Sequence, residues 1–323
     1  MAEALAVRPP SARRANAYGW IQDNGVYVAL AVLVLVNAVI TPNFLTVATM
    51  RTHLIQVTPV LVVALGMALV IGTEGIDLSV GSVMALAAAV LPLYLGYGVA
   101  VAVAMALLAA VGVGLVNGML VAFVGVQPIV ATLALLVGGR GLALVLAGGQ
   151  LKQIRSPSLL ELGTGSVLGI PYVVLVAAAL TVAVAFLVSR TTFGRQLVAI
   201  GGNRTASELA GLPVRRVLVT VYVLCAVLAA VAGVIATARL TASDPSAIGN
   251  LIELSAITAV VVGGTPLTGG RVRILGTVAG ALLMQLIRAT LITQDLPDAS
   301  AQMVQAVIIA LAVYVQRGRG GAG

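Results

Sequence analysis

From residue 26 onward, apolar residues run in long unbroken blocks, punctuated by short clusters of Gly, Pro and charge. The blocks fall at 26–41, 53–72, 79–97, 99–124, 128–148, 169–189, 217–238, 253–264, 272–293 and 300–316. A helix needs about 20 apolar residues to cross a hydrocarbon core about 30 Å thick, and most blocks approach that length. The runs are continuous rather than alternating, which excludes a membrane barrel and points to helices that satisfy their own backbone hydrogen bonds. The pattern therefore predicts an all-α polytopic membrane protein with about ten transmembrane helices. The block at 253–264 stands apart. At about 1.5 Å per residue it is too short to cross alone, so a break or a neighbouring loop must extend it.

Composition agrees. Of 323 residues, 60% are hydrophobic and 9% charged, with a mean hydropathy of +1.13; a soluble domain carries about a quarter charged residues. The net charge of +8 is almost wholly arginine, Lys152 being the only lysine. In such a chain this excess belongs to cytoplasmic loops rather than to nucleic acid. Arg190, Arg195, Arg204, Arg215 and Arg216 lie in 190–216, Arg271 and Arg273 in another turn, and Arg317 and Arg319 at the end. With ten crossings, these and the N-terminal arginines share one side, which places both termini in the cytoplasm. Glu161, Asp244, Asp295 and Asp298 then fall opposite. The expected organisation is a retained cytoplasmic tail (1–25), a permease-like membrane domain (26–316) with a cytoplasmic loop at 190–216, and a tail at 317–323. Cys225, the only cysteine, sits in an apolar run, so neither a disulfide nor a thiolate metal site is expected.

Charge is scarce, so "GTEGIDLSVG" (72–81) draws attention with Glu74 and Asp77 between two uncharged blocks. One reading is a proton relay. The other is a tight cytoplasmic turn built on Gly75, Asp77, Ser79 and Gly81, with Asp77 and Ser79 capping the next helix. A relay needs further ionisable groups in the bundle, and mid-block polar residues amount to little beyond Gln56, Asn117 and Gln285. The sole histidine, His53, sits near an entry point; Glu253 and Arg288 lie near block ends, where interfacial anchoring is expected. "VIGTEGIDLSVGSVMALAAAV" and "VVGGTPLTGGRVRILGTVAGAL" both run apolar, Gly-rich turn, apolar, as a duplicated transporter would. No GxxxxGK[ST], HExxH, cysteine cluster or nucleophile elbow occurs, so there is no catalytic constellation and no metal site. Power for uphill transport would come from a gradient or from another chain.

The loop "RTTFGRQLVAIGGNRTASELAGLPVRRVLV" bears on that choice. Thr205 to Glu208 fits a capping box, Asn203 is an alternative N-cap, Gly211 suits C′, and Pro213 stops continuation. The result is a short capped helix of about two turns, exposing Leu209 as an apolar face. It reads as a docking peg for a soluble partner, or as a plain linker.

Four stretches together carry a resemblance: "GIDLSVGSVMAL" (75–86), "QPIVATLALLVGGRGLALVLAGGQ" (127–150), "GGNRTASELAGLPVRRV" (201–217) and "ELSAITAVVVGGTPLTGGRVRILGT" (253–277). The chain resembles the permease subunit of ATP-binding-cassette monosaccharide importers of the ribose, xylose and galactose type. "SPSLLELGTGS" and "DPSAIGNLIEL" look most like galactofuranose permeases. The resemblance implies two permease chains, identical or related, forming a path across the bacterial cytoplasmic membrane. It also implies ATPase subunits on the cytoplasmic side and an extracytoplasmic sugar-binding protein, with no cofactor beyond the ATP held by the partner. Asn203, Arg204, Thr205, Glu208, Ala210 and Gly211 would form the segment seated on the ATPase. Glu253, Gly263, Gly264, Gly269 and Gly270 become candidates for pathway or helix-end positions. Departures exist: Glu74 replaces a glycine, Ser255 and Thr258 replace Asp and Ala, and Pro266 and Val272 alter the last motif. The alternative is a proton- or sodium-coupled secondary transporter using Glu74, Asp77 and Glu253.

Overall fold

A computed structural model describes residues 12–297, 299–300, 302–304, 306–308 and 310. Among the described residues twelve α-helices with defined ends follow one another: α1 (Ala12–Ile40), α2 (Val47–Gly72), α3 (Val80–Tyr94), α4 (Val99–Met119), α5 (Pro128–Ala147), α6 (Pro157–Thr164), α7 (Tyr172–Arg190), α8 (Thr192–Gly202), α9 (Arg204–Leu209), α10 (Val214–Leu240), α11 (Ile252–Val262) and α12 (Ile274–Thr293), and the described residues from 299 on are helical. Among the described residues seven helical segments are long and apolar enough to cross a membrane: α2, α3 with its 3₁₀ extension to Tyr97, α4 with its π-helical turn to Val124, α5, α7, α10 and α12. Asn24–Ile40 and α11 are shorter apolar helices. The chain is thus an all-α polytopic membrane protein. The span expected at 300–316 runs largely outside the described residues, as do the C-terminal tail and Arg8.

Local chemistry sets the helix ends. Thr46 caps α2, its hydroxyl oxygen accepting from the Thr49 N–H at 3.3 Å. Pro128 occupies the first turn of α5, where no N–H is needed, and Gly148 closes that helix at φ 67°. Two boundaries differ from expectation. α1 is already helical at Ala12, the first described residue, so the helix reaches into the predicted tail. α6 was not foreseen: its eight residues hold too few apolar positions to show a period.

Burial separates centre from periphery. In their most apolar windows α2 is 78% and α10 67% buried, against 17% for α5 and α7. Small residues let the central backbones approach: Gly114 and Gly118 of α4 abut the α10 backbone at Val223 and Val219, and Gly66 of α2 abuts Cys225. Gly276 and Gly280 of α12 likewise press on Gly263 and on Ala259 of α11. In lipid the apolar tails give helices no reason to associate, so close packing at small residues carries this role.

Two helices are broken in a related way. Between α2 and α3 the chain runs non-helical through 73–79; between α10 and α11 it does so through 241–251. Asp77 Oδ1 accepts from the Ser79 N–H at 2.9 Å and from the Ser79 hydroxyl at 2.6 Å. Asp244 Oδ1 accepts from the Ser246 N–H at 3.0 Å and from the Ser246 hydroxyl. A glycine follows each pair, Gly81 and Gly249, and the two glycines touch backbone to backbone. The D-x-S turn of the first break thus recurs in "SDPSAIG" of the second. Asp244 is solvent-facing outside the spans, and the Ser246 hydroxyl holds its carboxyl below the usual carboxylate range.

Glu74 holds φ 65°, the left-handed region that disfavours side chains bearing a Cβ. That explains why glycine suits the position. Glu74→Gly is expected to stabilise the detergent-purified protein by about 1 kcal/mol, read as a rise in thermal midpoint; a fall would contradict the strain argument.

Candidate functional site

The site is built where the two breaks meet. α3 and α11 both begin at the Gly81–Gly249 contact, so two helix N-termini, each with free N–H groups, converge there. The positive end of a helix dipole favours an anion, and each start has one. Asp77 precedes α3, and Glu253 lies in the first turn of α11 with Oε2 against Gly81. Asp77 is fully buried and Glu253 is 7% exposed. Both carboxylates are thus packed inside the protein. The capping expectation also changes in detail. Ser79 occupies the N-cap but its side chain makes no cap hydrogen bond, because the Ser79 hydroxyl is turned back onto Asp77.

Arg140, from the middle of α5, holds the crossing. Its Nη1 donates to the carbonyls of Pro245 and Ile248, both at 2.7 Å, and its Nη2 to Gly249 O at 3.0 Å and Gly81 O at 3.4 Å. The guanidinium thus satisfies carbonyls that a broken helix leaves without partners and brings a positive charge within electrostatic reach of Glu253. Arg140 lies within the apolar block at 128–148, and the sequence alone assigns it no role. The available signal was the arginine itself, the only charge between Gly72 and Lys152 besides Glu74 and Asp77.

Around Asp77 a buried polar chain ties four elements together. Asn117 of α4 donates to Ser79 Oγ at 2.8 Å, the Cys225 thiol of α10 lies against the Asp77 carboxyl, and Tyr222 OH stands beside Gly75. Ser82 of α3 donates to Leu135 O of α5 at 2.9 Å, and Thr132 of α5 to Ile76 O at 3.3 Å. These bonds satisfy part of the unwound backbone at 73–79.

The predicted peg resolves into two helices. α8 was not foreseen, since its glycines masked a helical run; α9 was. Asn203 is the N-cap, its Oδ1 accepting from the Ala206 N–H at 2.9 Å, so Thr205 lies within α9 instead of capping it. Ala210 is the C-cap and Gly211 takes φ 78°; Leu212 N donates to Ser207 O at 3.0 Å, closing a Schellman motif. Arg204 and Glu208 pair across one turn at 3.3 Å. Leu209, 85% exposed, points outward.

A glycine junction joins this peg to the breaks. Gly201, at the end of α8, lies so close to Gly72 O that a Cβ would overlap it, and that Cβ would stand 2.6 Å from Gly270 N. Gly270 N donates to Gly72 O at 3.1 Å. Gly269, at φ 73°, faces Gly201 O and Glu74 N. Gly263 caps α11, and Gly264, at φ 89°, packs on the Arg273 side chain. The end of α8, the start of the first break and the Gly269–Gly270 turn in the loop after α11 therefore meet through backbone alone.

This architecture of spanning helices, paired breaks and an exposed peg defines a membrane permease. Residues 49–313 match the family model described as a branched-chain amino acid transport system / permease component, and the chain belongs to that family. It is 36% identical over 312 residues to the galactofuranose transporter permease protein YtfT of Escherichia coli K12, covering 94% of this chain and 92% of that one. It is 38% identical over 311 residues to the ribose import permease protein RbsC of the same organism, covering 94% and 97%. With the L-arabinose ABC transporter permease protein AraH of Azospirillum brasilense it shares 33% over 313 residues, covering 96% and 92%. No solved structure matches the chain.

Replacing Arg140 by Met removes the donor to these carbonyls and leaves Glu253 as an uncompensated buried charge. The expected cost is on the order of 3 kcal/mol, partly recovered in Arg140→Met/Glu253→Gln. Thermal unfolding of the three proteins checks this; an unchanged midpoint in the single variant would contradict it.

Proposed function

We propose that this chain is the membrane permease subunit of an ATP-binding-cassette importer that carries a monosaccharide into a bacterial cell. The sugar reading follows the relatives, which are named for galactofuranose, ribose and L-arabinose; the family description names amino acids instead. Ten crossings with both termini cytoplasmic, in the cytoplasmic membrane, agree with the arginine distribution. The chain holds no ATPase site and no cofactor of its own. Partner ATPases bind and hydrolyse ATP, a second permease chain completes the path, and an extracytoplasmic sugar-binding protein delivers substrate.

The observation that carries this reading is the peg. A doubly capped helix with an ion pair and one apolar side chain facing outward suits a groove on a soluble partner. The glycine junction behind it suits transmission, because backbone pressed on backbone cannot absorb a push as flexible side chains would. Asn203, Arg204, Glu208, Ala210 and Gly211 shape the peg, and Leu209 is its contact residue. Asp77 and Glu253 serve the helix starts on this reading, so uptake requires ATP and not an ion gradient.

Leu209→Asp is expected to leave the permease folded while lowering co-purification of the ATPase and sugar-stimulated ATP hydrolysis by at least about tenfold. Wild-type uptake in vesicles is expected to survive a proton and sodium ionophore. Full hydrolysis by the variant, or uptake abolished by the ionophore, would count against the proposal.

A further inference from the structure

Beside the crossing lies a cavity of about 420 Å³, between the second break, the first turn of α11, α12 and the helical residues 302 and 306. That volume falls in the range of small-molecule sites. Its polar lining is Asn250, Ser255, Gln285, Arg288 and Gln302. Gln285 Nε2 also donates to Gln56 Oε1 of α2 at 2.6 Å, so a further carboxamide sits next to the lining. Unlike the Asp77 cluster it is open: Asn250, Arg288 and Gln302 are exposed. Polar side chains at membrane depth face protein or water, not lipid.

The backbone aims this lining. Gly249 and Leu251 take φ 74° and 55°, the latter costly for a residue with a Cβ, and Asn250 stands between them. Arg140 fixes the carbonyls just before, at 245, 248 and 249. The strained turn is thus held open from behind while Asn250 faces the cavity. Its chemistry selects a ligand class. Carboxamides each offer a donor and an acceptor, as a sugar hydroxyl does, and Leu251, Leu254 and Met284 give apolar surface for a sugar's C–H face. Among the described residues no carboxylate lines the cavity, so an amino acid's ammonium group would find no counter-charge there.

We propose that this cavity is a polyol-binding station in the permease itself, with Asn250, Ser255 and Gln285 contacting the hydroxyls of a neutral monosaccharide in transit. It rests on the importer reading above and adds a second point of sugar selection besides the delivery protein. α11 lies between the station and the peg in the chain: its first turn lines the cavity, and the loop that follows it carries Gly269 and Gly270 to the glycine junction.

The assembled importer, reconstituted in vesicles with its partners, tests this with D-ribose, L-arabinose, D-fructose and L-leucine. Wild-type uptake of none of the sugars would overturn the importer reading and this one with it. Given sugar uptake, Asn250→Leu and Gln285→Leu are expected to cut transport of the preferred sugar at least about tenfold, or to shift the preference among sugars by that factor. ATP hydrolysis and complex yield should stay near wild type. In a Cys225→Ala background, Ser255→Cys should react with a membrane-impermeant thiol reagent, and the preferred sugar should slow that reaction. Wild-type rates and preference in both leucine variants, or thiol modification indifferent to sugar, would overturn the station while leaving the importer reading intact.

Discussion

A helix that breaks leaves carbonyl and N–H groups that need new partners, and among the described residues two such breaks meet at Gly81 and Gly249. Everything else in the bundle follows from where those groups find partners. Arg140 serves four carbonyls at the crossing, Asp77 turns Ser79 inward, and Asn117, Ser82 and Thr132 tie the remaining backbone to α4 and α5. Arg140 and Asp77 thus satisfy broken backbone, which accounts for an arginine and an acid in a bundle otherwise built of Ala, Val, Leu and Gly.

The related geometry of the breaks has a mechanical consequence. Each break is a D-x-S turn followed by a glycine and then a helix start, and the two lock together at Gly81 and Gly249. Movement of α11 must therefore disturb α3, and both begin beside the second break. The glycine junction at Gly72, Gly201 and Gly270 applies the same principle nearer the peg. Backbone contacts near its start and in the loop after its end make α11 a mechanical link between the peg and the middle of the bundle.

Much of this was legible in sequence, and the parts that were not share a cause. Long apolar runs located seven of the ten expected spans with ends within about six residues, and the short run at 253–264 is the 11-residue helix α11 that follows a break. Asn203, Gly211 and Pro213 marked the ends of α9 through local capping chemistry. Pairings between distant segments were invisible. Nothing local shows that Arg140 reaches residues 245–249, that Asp77 is buried, or that Gly201 touches Gly72. Thr205 was misread as a cap because the box motif and the Asn203 cap overlap by two residues, and only the backbone geometry separates them. Glu74 shows the reverse: a departure noted in sequence acquired its meaning, a left-handed φ, only in the fold.

Adjacent glycines give the most direct test of backbone coupling. A Cβ at Gly201 would overlap Gly72 O, whereas one at Gly202 meets nothing nearer than Gly270 Cα at 4.0 Å. The measurement is sugar transported per ATP hydrolysed by the reconstituted complex. Gly201→Ala should lower that ratio at least about tenfold while Gly202→Ala keeps it. Equal ratios in the two variants would contradict the account.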